Sequence, residues 1–266
     1  MTITSRDNPM IRQTRRLLSD AKARRKEGLF VIEGARLCAD AAISGVAIRF
    51  ALLTDEAAGA YAGPVGEIAK RCDRLYRISS TLARQIGDTV SPQGIFCVCE
   101  TLDNRSGFDT IGKKPPRTGW LALENIQDPA NLGAMIRTAE AFGLDGLLLS
   151  SDCCDLYNPK VLRGSMGGVF RLPLVTVEGM ASAVSALQER GFTGCACVAD
   201  REAEPITGVP IGPRSLCVVG NEGAGLRPET ARVCVRRLTI PMAGRAESLN
   251  AATAAGIVMW EMARSR

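Results

Sequence analysis

The sequence predicts an α/β protein in two units, the second and larger one built on a mostly parallel sheet. Three observations point there. Short apolar runs alternate with helix-like segments along all 266 residues, as strands covered by helices do. The alternation breaks at 103–118, DNRSGFDTIGKKPPRT, where Gly, Lys and a Pro-Pro pair interrupt any hydrophobic period, so a linker is placed there. Late in the chain, a buried-looking strand ends in three glycines at 220, 223 and 225, the mark of a turn that something else approaches closely.

In the first unit, 1–102, Pro9 opens a basic helix that runs to a stop at Gly28. LFVIEG follows as a strand, then a helix from Ala35 to Ser44 closed by Gly45, the strand IRFALLT, a helix around Glu67–Arg71, the strand RLYRIS, the helix STLARQIG and the strand GIFCVCE. The second unit, 119–266, opens with the strand WLALENI, a helix from about 130 to 142 and the strand GLLLS. A helix is expected at 158–167, strands at FRLPLVTV, GCACVAD, SLCVVGN and RRLTIP, and a closing helix at 248–264.

Composition narrows the chemistry. The chain contains no histidine, which removes Ser-His-Asp and Cys-His nucleophiles and histidine metal sites. Ten cysteines occur without a single C-x-x-C pair, and several sit inside strand-like runs, so they read as small hydrophobes and no metal is expected. No apolar run approaches the ~20 residues that span a bilayer, and MTITSRDNPMIRQTRR has no apolar core, so neither a membrane nor a signal peptide is expected and the protein is placed in the cytoplasm. Nine basic against four acidic residues within 1–36 account for the whole net charge of +5. A basic block on a neutral body suits a polyanion, with a solvated helix face as the plain alternative.

Three segments of the second unit hold the candidate chemistry. In Asn125-Ile-Gln-Asp-Pro-Ala-Asn131-Leu-Gly133-Ala-Met-Ile-Arg137, the apolar residues share one helix face and Arg137 lies roughly opposite, one turn after Gly133. Val219-Gly220-Asn221-Glu222-Gly223-Ala-Gly225 is G-x-x-G-x-G, neither a dinucleotide fingerprint nor a Walker loop. In Ile240-Pro-Met242-Ala-Gly244-Arg-Ala-Glu-Ser248-Leu249-Asn250, either Ser248 or Asn250 can cap the closing helix. Each segment taken alone has an ordinary structural reading: an exposed arginine, a strand-ending loop, a packed helix.

Together and in this order they resemble the three signature motifs of the SpoU/TrmH family of RNA ribose methyltransferases, within the SPOUT superfamily. Asn8-Pro9, Gly28-x-Phe30-x-x-Glu33-Gly34, Ser91-Pro92-Gln93-Gly94, Gly164-Ser165-Met166-Gly167 and Phe170-Arg171-Leu172-Pro173 extend the resemblance along the chain. It implies a C-terminal trefoil knot, a homodimer formed through the knotted unit, and S-adenosylmethionine held by loops 219–225, 240–244 and 248–250. The residues so assigned to the cofactor are Val219, Gly220, Asn221, Glu222, Gly223, Gly225, Ile240, Met242, Gly244, Ser248, Leu249 and Asn250.

The implied reaction is methyl transfer to a ribose 2′-oxygen, with Arg137 the activating group and Asn131, Glu222, Ser248 and Asn250 orienting substrate or cofactor. A guanidinium is a poor proton acceptor, so Arg137 is expected to stabilise negative charge or hold a phosphate rather than act as a base. The basic segment, Arg6, Asn8, Arg12, Arg15, Arg16, Arg24, Arg25 and Lys26, is expected to capture RNA, with ribosomal RNA favoured over transfer RNA. A non-catalytic RNA-binding relative, a base methyltransferase of the same superfamily and an unrelated nucleotide-cofactor enzyme are the competing readings.

Overall fold

The structure is a computed structural model that describes residues 1–72, 74–89, 91–102 and 107–265. The first four residues of the expected linker, 103–106, and positions 73, 90 and 266 lie outside the described residues. The chain divides into two compact units, one of residues 1–102 with 157–170, the other of 103–156 with 171–266. Two segments therefore group otherwise than the sequence breaks suggest. Residues 157–170 join the first unit, where Tyr157 stacks on buried Phe30 at 4.7 Å between ring centroids. The described part of the expected linker packs on the second unit through Ile111, buried in that unit's core.

The first unit holds a five-stranded sheet of β1 (Thr2–Ile3), β2 (Leu29–Glu33), β3 (Ile48–Leu53), β4 (Leu75–Ile78) and β5 (Ile95–Glu100), in the order β1-β4-β3-β5-β2. The strand β5 runs antiparallel to β2 and β3, while the β1–β4 and β3–β4 pairs are parallel. The motif residues of this unit build one end of that sheet. Glu33 accepts hydrogen bonds from the Asp88 amide (2.9 Å) and the Thr89 hydroxyl, and Gln93 Oε1 accepts from the Ala35 amide at 2.7 Å. Gly94 has φ +76° and lies where a Cβ would meet the Thr54 side chain at 2.6 Å, so a larger residue is excluded twice over.

The basic helix expected over 9–27 is two helices. Asn8 caps the first, Pro9–Ser19, and the chain turns extended at Asp20, whose side chain caps the second, Ala21–Glu27. A buried side chain holds this elbow: Arg24 is 3% exposed and donates to the carbonyl oxygens of Leu17 and Leu18. Carbonyls left open by the end of the first helix thereby find a partner.

The second unit is a seven-stranded sheet in which every described pairing is parallel. Its strands are β6 (Trp120–Leu123), β7 (Gly146–Ser150), β8 (Leu174–Val177), β9 (Thr193–Cys197), β10 (Glu204–Pro205), β11 (Ser215–Val219) and β12 (Arg236–Thr239), in the order β10-β12-β9-β11-β6-β7-β8. Both faces are covered, which is why the strands read as continuous apolar runs. Trp120, Ala122, Leu148, Leu216 and Val218 pack with the helix Met180–Glu189, and the helices Pro129–Ala141 and Ala251–Arg264 pack together elsewhere in this unit. All ten cysteines are free thiols, and Cys38, Cys72, Cys97, Cys99, Cys195 and Cys217 are buried, as small core hydrophobes would be.

Replacing Arg24 by Met is expected to destabilise the protein by about 1.5–3 kcal/mol, since charge-assisted bonds to two buried carbonyls are lost. Urea unfolding measures this, and an unchanged midpoint would contradict the elbow role.

Candidate active site

In an open parallel sheet, ligands bind beyond the carboxyl ends of the strands, where the chain's direction of travel across the sheet reverses. Here that point lies between β6 and β11. From β6 the chain moves outward through β7 and β8, then returns on the other side through β9, β11 and β12. The first two sequence motifs are the tails of these two central strands.

The tails are tied together. Asn221 donates from Nδ2 to the Asn125 carbonyl at 2.8 Å. Glu222 accepts at Oε2 from the Gln127 amide (3.1 Å) and at Oε1 from the Asp128 amide (3.0 Å) and Asn131 Nδ2 (3.1 Å). The third motif joins through Asn131, whose Oδ1 accepts from Asn250 Nδ2 at 3.0 Å. Asn250 in turn caps the closing helix, taking the amides of Ala252 and Thr253, while Asp128 caps the motif-one helix ahead of Pro129. Of the two cap candidates read from the sequence, Asn250 is the one used. A chain of bonds from Glu222 through Asn131 to Asn250 thus links all three motifs.

The glycines shape the middle segment. Asn221 and Gly225 exchange backbone hydrogen bonds at 3.0 Å, and Asn221 Oδ1 accepts from the amides of Gly223 and Ala224, closing a tight loop. A Cβ on Gly220 would fall into the backbone of Gly225 and Leu226, and Gly225 has φ +70°.

Beside this loop lies a cavity of about 510 Å³, within the range of sites for nucleotide-sized ligands. Of the residues named from the sequence, Val219, Gly220, Asn221, Glu222, Gly223, Gly225, Ile240, Met242, Ser248 and Leu249 line it. Gly244 does not line it, and Asn250 instead lines an adjoining cleft with Gln127, Asp128, Asn131, Glu222 and Ser248. The cavity also uses residues outside the motifs, among them Cys197, Asp200, Ile206 and Arg237, with Asp200 and Arg237 paired at 2.6 Å. The available signal for Asp200 was its place just past the apolar run GCACVA, at the carboxyl end of a strand.

Arg137 stands apart. It is exposed on the helix Pro129–Ala141 and lines neither the cavity nor the adjoining cleft of its own chain. Burial opposes charge on Glu222, but the Asp128 amide, its own backbone, the Asn131 side chain and the Gln127 amide outweigh it and hold the carboxyl below the usual carboxylate range. A carboxylate so held is a poor base and a good anchor. Burial, together with the negative charges nearby, pushes the neighbouring Cys154 thiol up to about 12, so it is no nucleophile.

In the first unit, Arg6, Arg12, Arg15, Arg16, Arg25 and Lys26 are exposed, with Arg16 paired to Glu27 at 2.5 Å. Arg12, Arg15 and Arg16 line one cleft with Ser19 and Asp88. One of the expected RNA contacts is corrected: Arg24 is buried in the helix elbow. Asn8 is half-buried, and its Oδ1 caps the first helix by accepting from the Met10 amide. Among the described residues no helix is long and apolar enough to cross a membrane, and no group of three or more Cys, Asp or Glu could hold a metal ion.

The sequence pattern of the SpoU rRNA Methylase family matches residues 120–260, and that of an MRM3-like substrate binding domain matches 8–97. The chain belongs to the SpoU rRNA methylase family. The chain is 30% identical over 260 residues to the 23S rRNA (guanosine(2553)-2′-O)-methyltransferase RlmP of Bacillus subtilis, covering 98% of each chain. The 23S rRNA (uridine(2479)-2′-O)-methyltransferase of Streptomyces viridochromogenes is 29% identical over 279 residues, covering 99% of this chain and 92% of the other. Among solved structures, the AdoMet-bound rRNA methyltransferase from Sinorhizobium meliloti superposes with a TM-score of 0.86 at 27% identity, covering 99% of this chain and 97% of that one. Membership of this family makes the chain a methyltransferase, as the resemblance implied; the named relatives act on a 2′-oxygen of 23S rRNA, and the Sinorhizobium meliloti neighbour holds AdoMet.

Gly220→Ala is expected to weaken S-adenosylhomocysteine binding by more than about tenfold, because the loop backbone must shift to admit the methyl group. Isothermal titration would show it, and an unaltered affinity would remove the loop from the cofactor site.

Proposed function

We propose that the cavity between the 219–226 loop and the 240–249 segment is the S-adenosylmethionine site, and that the adjoining cleft receives the target ribose. The observation behind this reading is the bond chain Glu222–Asn131–Asn250, which puts one cleft under the control of all three motifs. The residues present fit the cofactor: a cavity of suitable volume, a glycine turn that brings backbone groups to its wall, and the apolar side chains of Ile240, Met242 and Leu249 for the adenosine. Bound there, S-adenosylmethionine would supply an electrophilic methyl group: the ribose 2′-oxygen would bond to that carbon as its bond to sulfur breaks, with S-adenosylhomocysteine leaving and the hydroxyl proton passing to solvent.

The protein's own part is positioning and charge. Asn131 has its amide fixed by Glu222 and its oxygen by Asn250, so its place at the cleft is set before RNA arrives, which lowers the entropic cost of alignment. Ser248 lines both cavity and cleft and offers a hydroxyl to the substrate. Arg137 is assigned to stabilise the developing oxyanion or hold the adjoining phosphate. It does so from a second copy of the chain, since it lies outside its own chain's cleft. The helices Pro129–Ala141 and Ala251–Arg264 leave Trp260 53% exposed against Phe142, an apolar patch suited to the interface of a homodimer. A trefoil knot in the second unit completes this reading.

The unit of residues 1–102 with 157–170 serves in RNA capture, and the unit that carries the three motifs serves in methyl transfer. Arg6, Arg12, Arg15, Arg16, Arg25 and Lys26 neutralise phosphates, which orients RNA without reading its sequence. The named relatives methylate different nucleotides of 23S rRNA, and a site in the large-subunit RNA is the target class assigned here. A cytoplasmic setting suits ten free cysteines.

Arg137→Ala is expected to abolish methylation while leaving S-adenosylhomocysteine affinity within about twofold. Mixed with a Gly220 variant that no longer binds cofactor, it should regain about a quarter of wild-type activity, since statistical pairing makes half the dimers mixed and each has one intact composite site. No recovery would contradict action across the dimer. Replacing Arg12, Arg15 and Arg25 with Gln is expected to flatten the dependence of log affinity on log salt by about 2–3. An unchanged slope in RNA-binding titrations would take these residues out of the interface.

A further inference from the structure

Glu124 belongs to none of the three motifs, yet it is 1% exposed at the end of β6, a carboxyl group in the interior. Its backbone amide donates to the Val219 carbonyl at 2.9 Å, the last rung between β6 and β11. Its side chain then reaches past the glycine loop: Oε2 accepts from the Arg227 amide at 2.9 Å and Oε1 from the Thr230 hydroxyl at 2.6 Å. Thr230 is itself 1% exposed, on the short helix Pro228–Val233, and Arg227 is that helix's N-cap residue and makes no side-chain cap of its own. The Arg227 guanidinium is engaged elsewhere, with Asp152.

One residue thus fixes both ends of the segment 220–226. Val219 is held by the Glu124 backbone and Arg227 by its carboxylate, while Asn221 and Gly225 close the loop between them. Burying an acid is costly unless each oxygen meets a donor, so an apolar residue would serve a merely packed position better. Two acceptor oxygens facing two donors is what a carboxylate supplies and a hydrocarbon does not. The arrangement mirrors Glu222, which reaches the opposite way from the β11 tail to the amides of the β6 tail.

We infer that Glu124 is a positioning residue of the methyltransferase, holding the cofactor loop in its binding shape through the Arg227 amide and the Thr230 hydroxyl. The inference rests on the reading that the cavity beside this loop takes S-adenosylmethionine. Glu124 touches neither cofactor nor substrate in this role, and acts through the loop alone.

The test is S-adenosylhomocysteine titration of the full chain, well below its melting temperature, with RNA affinity measured alongside. Glu124→Ala strands the buried Thr230 hydroxyl and the part-buried Arg227 amide, and is expected to weaken S-adenosylhomocysteine about tenfold or more while RNA affinity stays within about twofold. The KM for S-adenosylmethionine should rise by a similar factor, with kcat at saturation changing less. Glu124→Gln is expected to recover most of the affinity: its oxygen can still accept from the Arg227 amide, and its NH₂ can donate to a rotated Thr230 hydroxyl. Should the alanine variant fail to fold, Thr230→Val supplies the test, with an expected loss of about threefold. Wild-type affinity in Glu124→Ala or Thr230→Val, a glutamine variant as impaired as the alanine one, or equal losses of cofactor and RNA binding would each overturn the inference. A wild-type protein that binds no S-adenosylhomocysteine would instead overturn the reading of the cavity, and this inference with it.

Discussion

The site depends on holding the tails of β6 and β11 together where they leave the sheet. Parallel strands bring these tails side by side but do nothing to lock them, because the ladder stops at Glu124 and Val219. Beyond that point the contacts are side chain to backbone: the Glu222 carboxylate on the amides of Gln127 and Asp128, and the Asn221 amide on the Asn125 carbonyl. Asn125 has φ +56°, an uncommon backbone for a residue other than glycine, at the carbonyl that Asn221 holds. Charge on Glu222 therefore matters for architecture first. Its depressed carboxyl pKa means its stabilising contribution is fully present above the ordinary carboxylate range and is lost only as pH falls through the lowered value. Near neutral pH it stays a fixed anion.

This division of labour explains the residue types in the motifs. Asparagines recur because an amide both donates and accepts, and Asn131 uses both functions to connect Glu222 with Asn250. Asp128-Pro129 and Asn250 are helix-cap chemistry, and they fix where the two packed helices begin. With no histidine in the chain, no imidazole serves as a base, and Glu222, held as an anion by its donors, is a structural tie.

Much of this was legible in the sequence. Apolar runs gave the longer strands of both units, while the two-residue strands β1 and β10 carry no such run and were not read; the glycine loop was visible because nothing larger fits at Gly220. What escaped was set by tertiary contacts. Periodicity runs smoothly from 9 to 27, and only the burial of Arg24 against Leu17 and Leu18 shows why the chain bends at Asp20. Asp200 and Arg237 reach the cavity from neighbouring strand ends whose adjacency depends on strand order, which no local pattern encodes. Arg137 was rightly placed opposite the apolar face of its helix, but a helical wheel does not say which cleft an exposed side chain serves. The tie between Tyr157 and Phe30 joins positions 127 residues apart.

The most direct measurement is amide hydrogen exchange of the full-length protein with and without S-adenosylhomocysteine. Protection concentrated in 219–226 and 240–250, the two segments that wall the cavity, is the result expected. Protection confined to other segments, or none at saturating ligand, would contradict a cofactor site built between the tails of the two central strands.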